Sequence, residues 1–525
     1  MGLIWGWVYA PYGYSGRDEG LIAALSWRVT QGQLPYLDFQ YLMPPLTPLL
    51  HALPQLWLPD AHQFLFERYL FFFLIATSCI LSVGILDRHF SLDGLKLNRY
   101  ALALLFFVFS TGNFPPMAWP SVDGVVLCTA GLYFLSCRDG RSGAVVGAGF
   151  LFLGAMCKQS YHFMLPAALI YTWMARVRRD VLLVAVTFAL LGTVFAATLA
   201  GFGILGAYLE QTTLQTRFGS LVHSGFLVYF KYSWLAVGPS LAAAILTYAV
   251  GRRLLRRSLA PWMPFIVIGG TLVVHAGFFF TRQQFQTPVY NYPAFLWLAT
   301  VVALACAFER HRRDLQTLAW MLFLSWCASL SWGYQTPAFY SASFLFGLLY
   351  FSRRHLGSSP RALLGFLLTL GIAVQFVGYQ FPYGERPRWR LDSHLGQVYD
   401  KLSGVYSSSD GFDRQFELRR LHERYGDDYM VFPAMPLTHF LTRTLPPART
   451  EWVIDRRVDH RIDEIIESLE ARGTHVFLER DSPYLCHRPG QCSRLVEHIG
   501  EHWRRVEEGA YFDVYRPPAH SRPGA

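Results

Sequence analysis

Apolar residues in this chain fall into blocks with few or no charges, bracketed at roughly 1–13, 64–86, 100–111, 123–136, 143–157, 162–175, 181–209, 234–250, 262–280, 292–307, 315–332, 338–352 and 362–380. Several approach or exceed the roughly 20 residues that cross a bilayer as a helix. The pattern predicts an all-α polytopic membrane module over residues 1–380, with about thirteen transmembrane helices. Blocks such as 100–111 and 123–136 are short for a full span, so tilt or burial inside a bundle is expected there.

Beyond Gln380 the pattern changes. Charged residues become dense, and amphipathic helical stretches (Phe412–Tyr425, Asp459–Arg472, Ser493–Val506) alternate with strand-like runs (Tyr429–Phe432, His475–Leu478, Tyr511–Tyr515). Residues 381–525 therefore read as a small α/β domain. Between the first two blocks lies a long loop, residues 15–63, that is itself amphipathic. Leu21, Ala24, Leu25 and Val29 recur at helical spacing beside Trp27 and Arg28, and Leu46 to Trp57 is a second apolar stretch behind Pro44-Pro45. Both stretches are expected to form helices lying flat in the membrane interface.

Charge supplies the orientation. A net charge of +10 on 525 residues would suggest nucleic acid in a soluble protein, but 53% of the residues are hydrophobic and Lys and Arg gather in short loops. Counting loops in order, the even ones hold eighteen Lys and Arg and the odd ones, without the tail, hold six. By the positive-inside rule the even loops are cytoplasmic, and the odd loops and the tail face outward. Membrane lipid, and no nucleic acid, is the implied surrounding. Met1 to Tyr14 has neither charge nor a small-residue cleavage site, so no cleavable signal peptide is visible, and a start further upstream is compatible with it.

The outward loops concentrate the chemistry. Asp18, Glu19 and Asp38 lie in the first of them, where interfacial helices would roof a cavity over these acids; solvated loop charges or helix caps are the alternative. Asp123 stands at the outer end of the fourth apolar block, and an acid at the mouth of a membrane helix is a site hypothesis, with capping again the simpler account. Lys158, near Tyr161 and His162, would hold a lipid phosphate as a point charge or snorkel toward headgroups. Arg282 opens a loop rich in Gln, Tyr and Asn that includes Tyr290 and suits hydroxyl-rich ligands; Arg217 is a weaker candidate of the same kind.

Cys486 and Cys492 lie six positions apart in a turn-rich segment, where an oxidising compartment would allow them to bridge; two free thiols is the other reading. The remaining cysteines sit in or beside apolar blocks as packing residues. Gly201-Phe202-Gly203-Ile204-Leu205-Gly206 fits a dinucleotide fingerprint in letters only, since no strand precedes it, and close helix packing is expected instead. No Walker loop, nucleophile elbow or paired metal-ligand spacing occurs.

Asp18-Glu19-Gly20, the run Gly32 to Phe39 and Pro44-Pro45-Leu46 together resemble the first outer loop of the GT-C glycosyltransferases, which include protein O-mannosyltransferases and lipid A aminoarabinose transferases. Asp123 matches that family's second acidic position, and Lys158 with Pro166 resembles its Lys-then-Pro segment. Phe432-Pro433 through Pro436 to Arg443 is similar to the outer domain of bacterial members. One departure is that Met43 precedes the paired prolines where the lipid A transferases carry a basic residue, which counts against lipid A and aminoarabinose as the substrates. Lys158 and Arg282 remain the candidates for the carrier phosphate.

The resemblance implies an enzyme of a bacterial inner membrane, facing the periplasm. Its reaction would be inverting transfer of a sugar from a polyprenyl-phosphate donor to a glycan, lipid or protein acceptor. Asp18 is then the expected base, with Glu19 and Asp38 as alternates, and Asp123 would position the acceptor or join Asp18 in holding Mg²⁺ or Mn²⁺; a metal-free mechanism is equally compatible. The rival classes are a transporter or lipid flippase, whose charges would form a relay across the bilayer, and a non-catalytic assembly protein.

Overall fold

The computed structural model describes residues 1–111, 115–175, 177–214, 312–330, 340–378, 385–450, 461–480 and 494–518, with 219, 222, 223, 249, 260–262, 264–266, 268, 383, 452 and 482. The apolar blocks at 234–250, 262–280 and 292–307 fall almost wholly outside them. The chain divides into two compact units. One comprises Met1–Gly6, Leu70–Gly201 and Arg217–Gly384; the other comprises Trp7–Tyr69, Phe202–Thr216 and Glu385–Ala525, so the first loop shares a unit with the C-terminal tail.

The helices follow the apolar blocks. They are α1 (Gly2–Tyr9), α2 (Asp18–Thr30), α3 (Leu46–Trp57), α4 (Asp60–Phe90), α5 (Arg99–Thr111), α6 (Pro120–Cys137), α7 (Arg141–Ala155), α8 (Met164–Ala175) and α9 (Arg178–Gly201), followed by Arg312–Ser329, Ala342–Leu356 and Pro360–Gly378 among the described residues. Three of these, α4, α6 and α9, are long and apolar enough to cross a membrane, while α5, α7 and Pro360–Ala373 are apolar but shorter. Helix α9 exposes Leu182, Val186, Leu190 and Val194 at four-residue spacing, the face a helix presents to lipid.

In the first unit small residues and hydroxyls make the helix contacts. A Cβ on Gly131 would lie 2.6 Å from Leu151 Cγ, and one on Gly147 would lie 2.9 Å from Gly131 O, so α6 and α7 approach backbone to backbone. Buried hydroxyl pairs link other helices: Ser110 with Ser341 at 2.8 Å, and Ser325 with Ser343 at 2.9 Å. Cys79, Cys128, Cys157 and Cys327 are buried free thiols, in keeping with packing roles. Among the described residues, the Gly201–Gly206 run makes no close helix contact. A Cβ on Gly201, Gly203 or Gly206 would meet no described residue within 4 Å, and Gly203, at φ +70°, turns the chain where α9 ends.

The second unit is organised around two sheets. A pair, β1 (Ser393–His394) with β2 (Tyr406–Ser407), is antiparallel. The larger sheet contains β3 (Tyr429–Phe432), β4 (His475–Glu479), β5 (Arg504–Glu508) and β6 (Phe512–Arg516) in the order β3-β4-β6-β5, with β3 and β4 parallel and the other pairs antiparallel. Strand alternation sorts its side chains. Met430, Phe432, Val476 and Leu478 pack with the helices Ile462–Arg472 and Arg494–His502, while Tyr429, Val431, Phe477, Phe512 and Val514 pack with Ser409–Tyr425. The third predicted helix stops early: it ends at His502, and Arg504–Glu508 is an edge strand whose charged side chains keep that edge solvated.

The two stretches of the first loop are helical, but only one matches its expected surroundings. Helix α2 buries Leu21, Ile22, Ala23, Ala24 and Leu25, and also Glu19, Ser26 and Arg28, so it is an interior helix. Helix α3 turns Thr47, His51, Ala52 and Gln55 inward and exposes Leu49, Leu50, Leu53, Leu56 and Trp57. That inversion, polar inside and apolar outside, suits an interfacial helix facing lipid.

Candidate functional site

Arg17, Asp18 and Glu19 begin α2, and their fates differ. Acids in a helix's first turn complement its dipole, and Asp18 and Glu19 occupy that turn. Gly20 must be glycine here: a Cβ would lie 2.3 Å from Leu437 Cβ, so the helix start is seated directly on the tail. Glu19 is buried against Arg68, whose Nε donates to Oε1 at 2.5 Å and whose Nη2 donates to Oε2 at 3.0 Å. Arg68 also donates to Ala10 O at 2.6 Å and Gly13 O at 2.7 Å, and its guanidinium lies 5.0 Å from the Phe64 ring centre. Ser15 N donates to Glu19 Oε2 at 3.2 Å, so one carboxylate and one guanidinium fix the whole run-in to α2.

Arg17 is held from the other side. Its Nη2 donates to both oxygens of Glu479 at 3.1 Å, and Arg414 Nη1 donates to Glu479 Oε1 as well. Asp18, between two committed neighbours, is half-buried.

Asp38 lies in a turn that it closes itself: its Oδ2 accepts from Leu34 N at 2.6 Å, and its carbonyl accepts from Arg28 Nη2 at 2.9 Å. Arg28, fully buried, also reaches Gln33 and Ala448 O. The turn carries Tyr36 at φ +71°, with its hydroxyl on Met43 O at 2.6 Å and its carbonyl accepting from Gln211 Nε2 at 2.9 Å.

A further acid belongs to this unit. Glu385 Oε1 accepts from Ser407 Oγ at 2.5 Å, while its Oε2 is buried with no hydrogen-bond partner among the described residues. Burial pushes the carboxyl up to about 7, against the lowering pull of Ser407 and Arg68, and the Glu19 charge adds to the rise. The Tyr14 phenol, raised mainly by burial and then by Glu19, donates to Gln415 Oε1 at 3.3 Å.

In the first unit, Asp123 and Lys158 share the beginning of α6. Asp123 stands in its first turn, buried, behind Pro120. Lys158 is buried and its Nζ turns inward, donating to Ser121 Oγ at 2.8 Å and Ala328 O at 3.4 Å, so it does not snorkel. Tyr161 OH donates to Ser121 O at 2.6 Å, and its ring fills the space beside Gly124, where a Cβ would lie 2.1 Å away. Arg217, Arg282, Tyr290, Cys486 and Cys492 lie outside the described residues. Among the described residues no group of three His, Cys, Asp or Glu side chains is placed to hold a metal.

Sequence reading missed Arg68, Glu479 and Glu385. Arg68 had a signal, a guanidinium beside Glu67 inside the apolar block 64–86, and charges in such a block are rare enough to imply partners. Glu479 and Glu385 are ordinary tail acids in the sequence, and only the fold distinguishes them.

No protein-family model matches the sequence, and no curated protein matches it. Among solved structures the chain is similar to ArnT from Cupriavidus metallidurans bound to undecaprenyl phosphate, at 13% identity and a TM-score of 0.43, covering 99% of this chain and 97% of that one.

Proposed function

We propose that this protein is a membrane glycosyltransferase of the GT-C type, using a polyprenyl-phosphate sugar as donor and an acceptor on the outer face of the membrane. The observation that supports it best is the fixing of the chain on both sides of Asp18: Glu19 is pinned by Arg68 and Arg17 by Glu479, so the backbone that carries the Asp18 carboxylate is held at the first turn of a buried helix. Pre-set geometry is what a general base needs.

In this reading Asp18 takes the proton of an acceptor hydroxyl as its oxygen attacks the anomeric carbon. The bond from that carbon to the phosphate oxygen breaks, its electron pair leaves with the lipid phosphate, and the carbon inverts. Glu19 and Asp38 act on the fold of the loop. The proposed roles of Asp123 in placing the acceptor, and of Lys158, Arg217, Arg282 and Tyr290 in binding the lipid phosphate, rest on the sequence.

The test is to incubate the purified protein with radiolabelled polyprenyl-phosphate sugars and candidate acceptors. The enzyme consumes donor, whereas a transporter or flippase only moves it. Asp18→Asn is expected to lower turnover at least about a hundredfold without loss of folding; wild-type turnover by that variant would remove Asp18 from the mechanism.

A further inference from the structure

Glu479 occupies the end of β4, more than four hundred residues from the loop it touches, and is 1% exposed. A carboxylate so placed needs compensation, and it receives two guanidiniums, from Arg17 across both oxygens and from Arg414 on Oε1. Arg414 is itself fixed: it stacks 5.1 Å from the Tyr511 ring centre and lies 3.9 Å from Asp410. The far end of the clamp is therefore rigid, and its near end is the residue that precedes Asp18. Arg17 is the N-cap position of α2, where its donor-only guanidinium has no capping role, and it goes to Glu479.

We propose that Glu479 is a positioning residue for the proposed base, holding Arg17 so that its charge is balanced and the opening of α2 is fixed. The inference rests on the transferase reading and extends it to the C-terminal sheet. Among the described residues, the charged and titratable groups at this clamp and next to its members include Arg17 before α2 and Glu19 on it, Arg68 on α4, Asp410, Asp413 and Arg414 on the helix Ser409–Tyr425, Arg480 after β4, and Tyr511 before β6. Of these, Arg17 is the cation adjacent to Asp18 in the chain.

Removing either partner therefore moves the balance in opposite directions. Glu479→Gln removes the carboxylate whose two oxygens both accept from Arg17, the cation adjacent to Asp18 in the chain, which favours the ionised base and weakens it. The acidic limb of the kcat/KM profile is expected to move about half to one pH unit lower, with kcat falling several-fold. Arg17→Gln removes the cation, and the limb is expected to move higher by a similar amount. Glu479→Asp keeps the charge and should return the limb toward wild type. A merely structural clamp would lower activity or melting temperature without displacing the limb in opposite senses.

The experiment measures pH profiles of sugar transfer for the full-length protein in detergent, with the four variants Glu479→Gln, Glu479→Asp, Arg17→Gln and Asp18→Asn. Opposite displacements in the first and third support the proposal; if Glu479→Gln does not fold, the upward displacement in Arg17→Gln decides. Profiles that superimpose on wild type while Asp18→Asn is inactive overturn the positioning role alone. Activity surviving in Asp18→Asn overturns the transferase assignment of the base instead, so the two failures are distinct.

Discussion

Arg68 and Glu19 form a two-point ion pair sealed from solvent, with both side chains at most 2% exposed. It joins α4 to the first turn of α2, and the same guanidinium binds two carbonyls of the segment leading into that turn. Its energetic meaning follows from burial: a desolvated pair gains little over apolar residues, but leaving one charge alone is costly.

Glu19→Gln is accordingly expected to destabilise the protein by about 3–5 kcal/mol, because the buried Arg68 guanidinium keeps its charge and loses the carboxylate that holds two of its nitrogens. Asp18→Asn, one residue away and half-buried, should melt close to wild type. Thermal unfolding of the two variants in the same detergent checks this, and a Glu19→Gln protein that melts with wild type would show that the pair is not closed in solution.

Glu385 makes stability depend on pH. Its carboxyl ordinarily titrates near 4.5 and is raised to about 7 in the fold, chiefly by burial. Between those values the folded chain retains a proton that the unfolded chain releases, so stability falls as pH rises through this window and levels above about 7. The shift corresponds to about 3 kcal/mol. Glu385→Gln should flatten the melting temperature over that range and exceed wild type at pH 8. A variant with the wild-type slope would assign the dependence to another group.

Lys158→Met separates binding from packing. The ammonium is buried on neutral oxygens, Ser121 Oγ and Ala328 O, an arrangement that costs free energy relative to an apolar side chain of similar length. Melting should therefore be unchanged or raised. If Lys158 holds the donor's phosphate, the dissociation constant for polyprenyl phosphate rises at least about tenfold, in line with a lost charge-assisted contact. Unchanged donor affinity in a stable variant would leave Lys158 a structural residue.

How much of this was readable beforehand depended on the kind of signal. Apolar blocks announce helices because an uncharged run has few other folds open to it, and α4, α5, α6, α7 and α8 lie within a few residues of their brackets. Tyr429–Phe432 and His475–Glu479 were legible from β-branched and aromatic content. Arg504–Glu508 was not, because an exposed edge strand places charges where a helical period also places them. Helix α2 read as amphipathic from Trp27 and Arg28, yet Arg28 is buried because Gln33, Asp38 O and Ala448 O satisfy its donors. The acids of the candidate site were visible as acids, but not their cations, because Arg68 and Arg414 reach them only through tertiary structure.

The contact between Gly124 and Tyr161 offers a test of how the α6 opening is built. The ring lies where a side chain on residue 124 would begin, and its hydroxyl donates to the carbonyl of Ser121, whose own hydroxyl receives Lys158. Gly124→Ala would displace the ring, break the Tyr161 bond to Ser121 and disturb Lys158 at second hand, at a cost of about 1–3 kcal/mol for overpacking. The helix interior gains a few tenths to one kcal/mol from alanine's propensity, which does not offset it. If the ring is the obstacle, adding Tyr161→Ala should give a double variant more stable than the sum of the single losses predicts, since one cavity accepts the other's methyl. Strictly additive melting shifts would mean that Gly124 and Tyr161 do not touch, and that the opening of α6 is set by Pro120 and Asp123 instead.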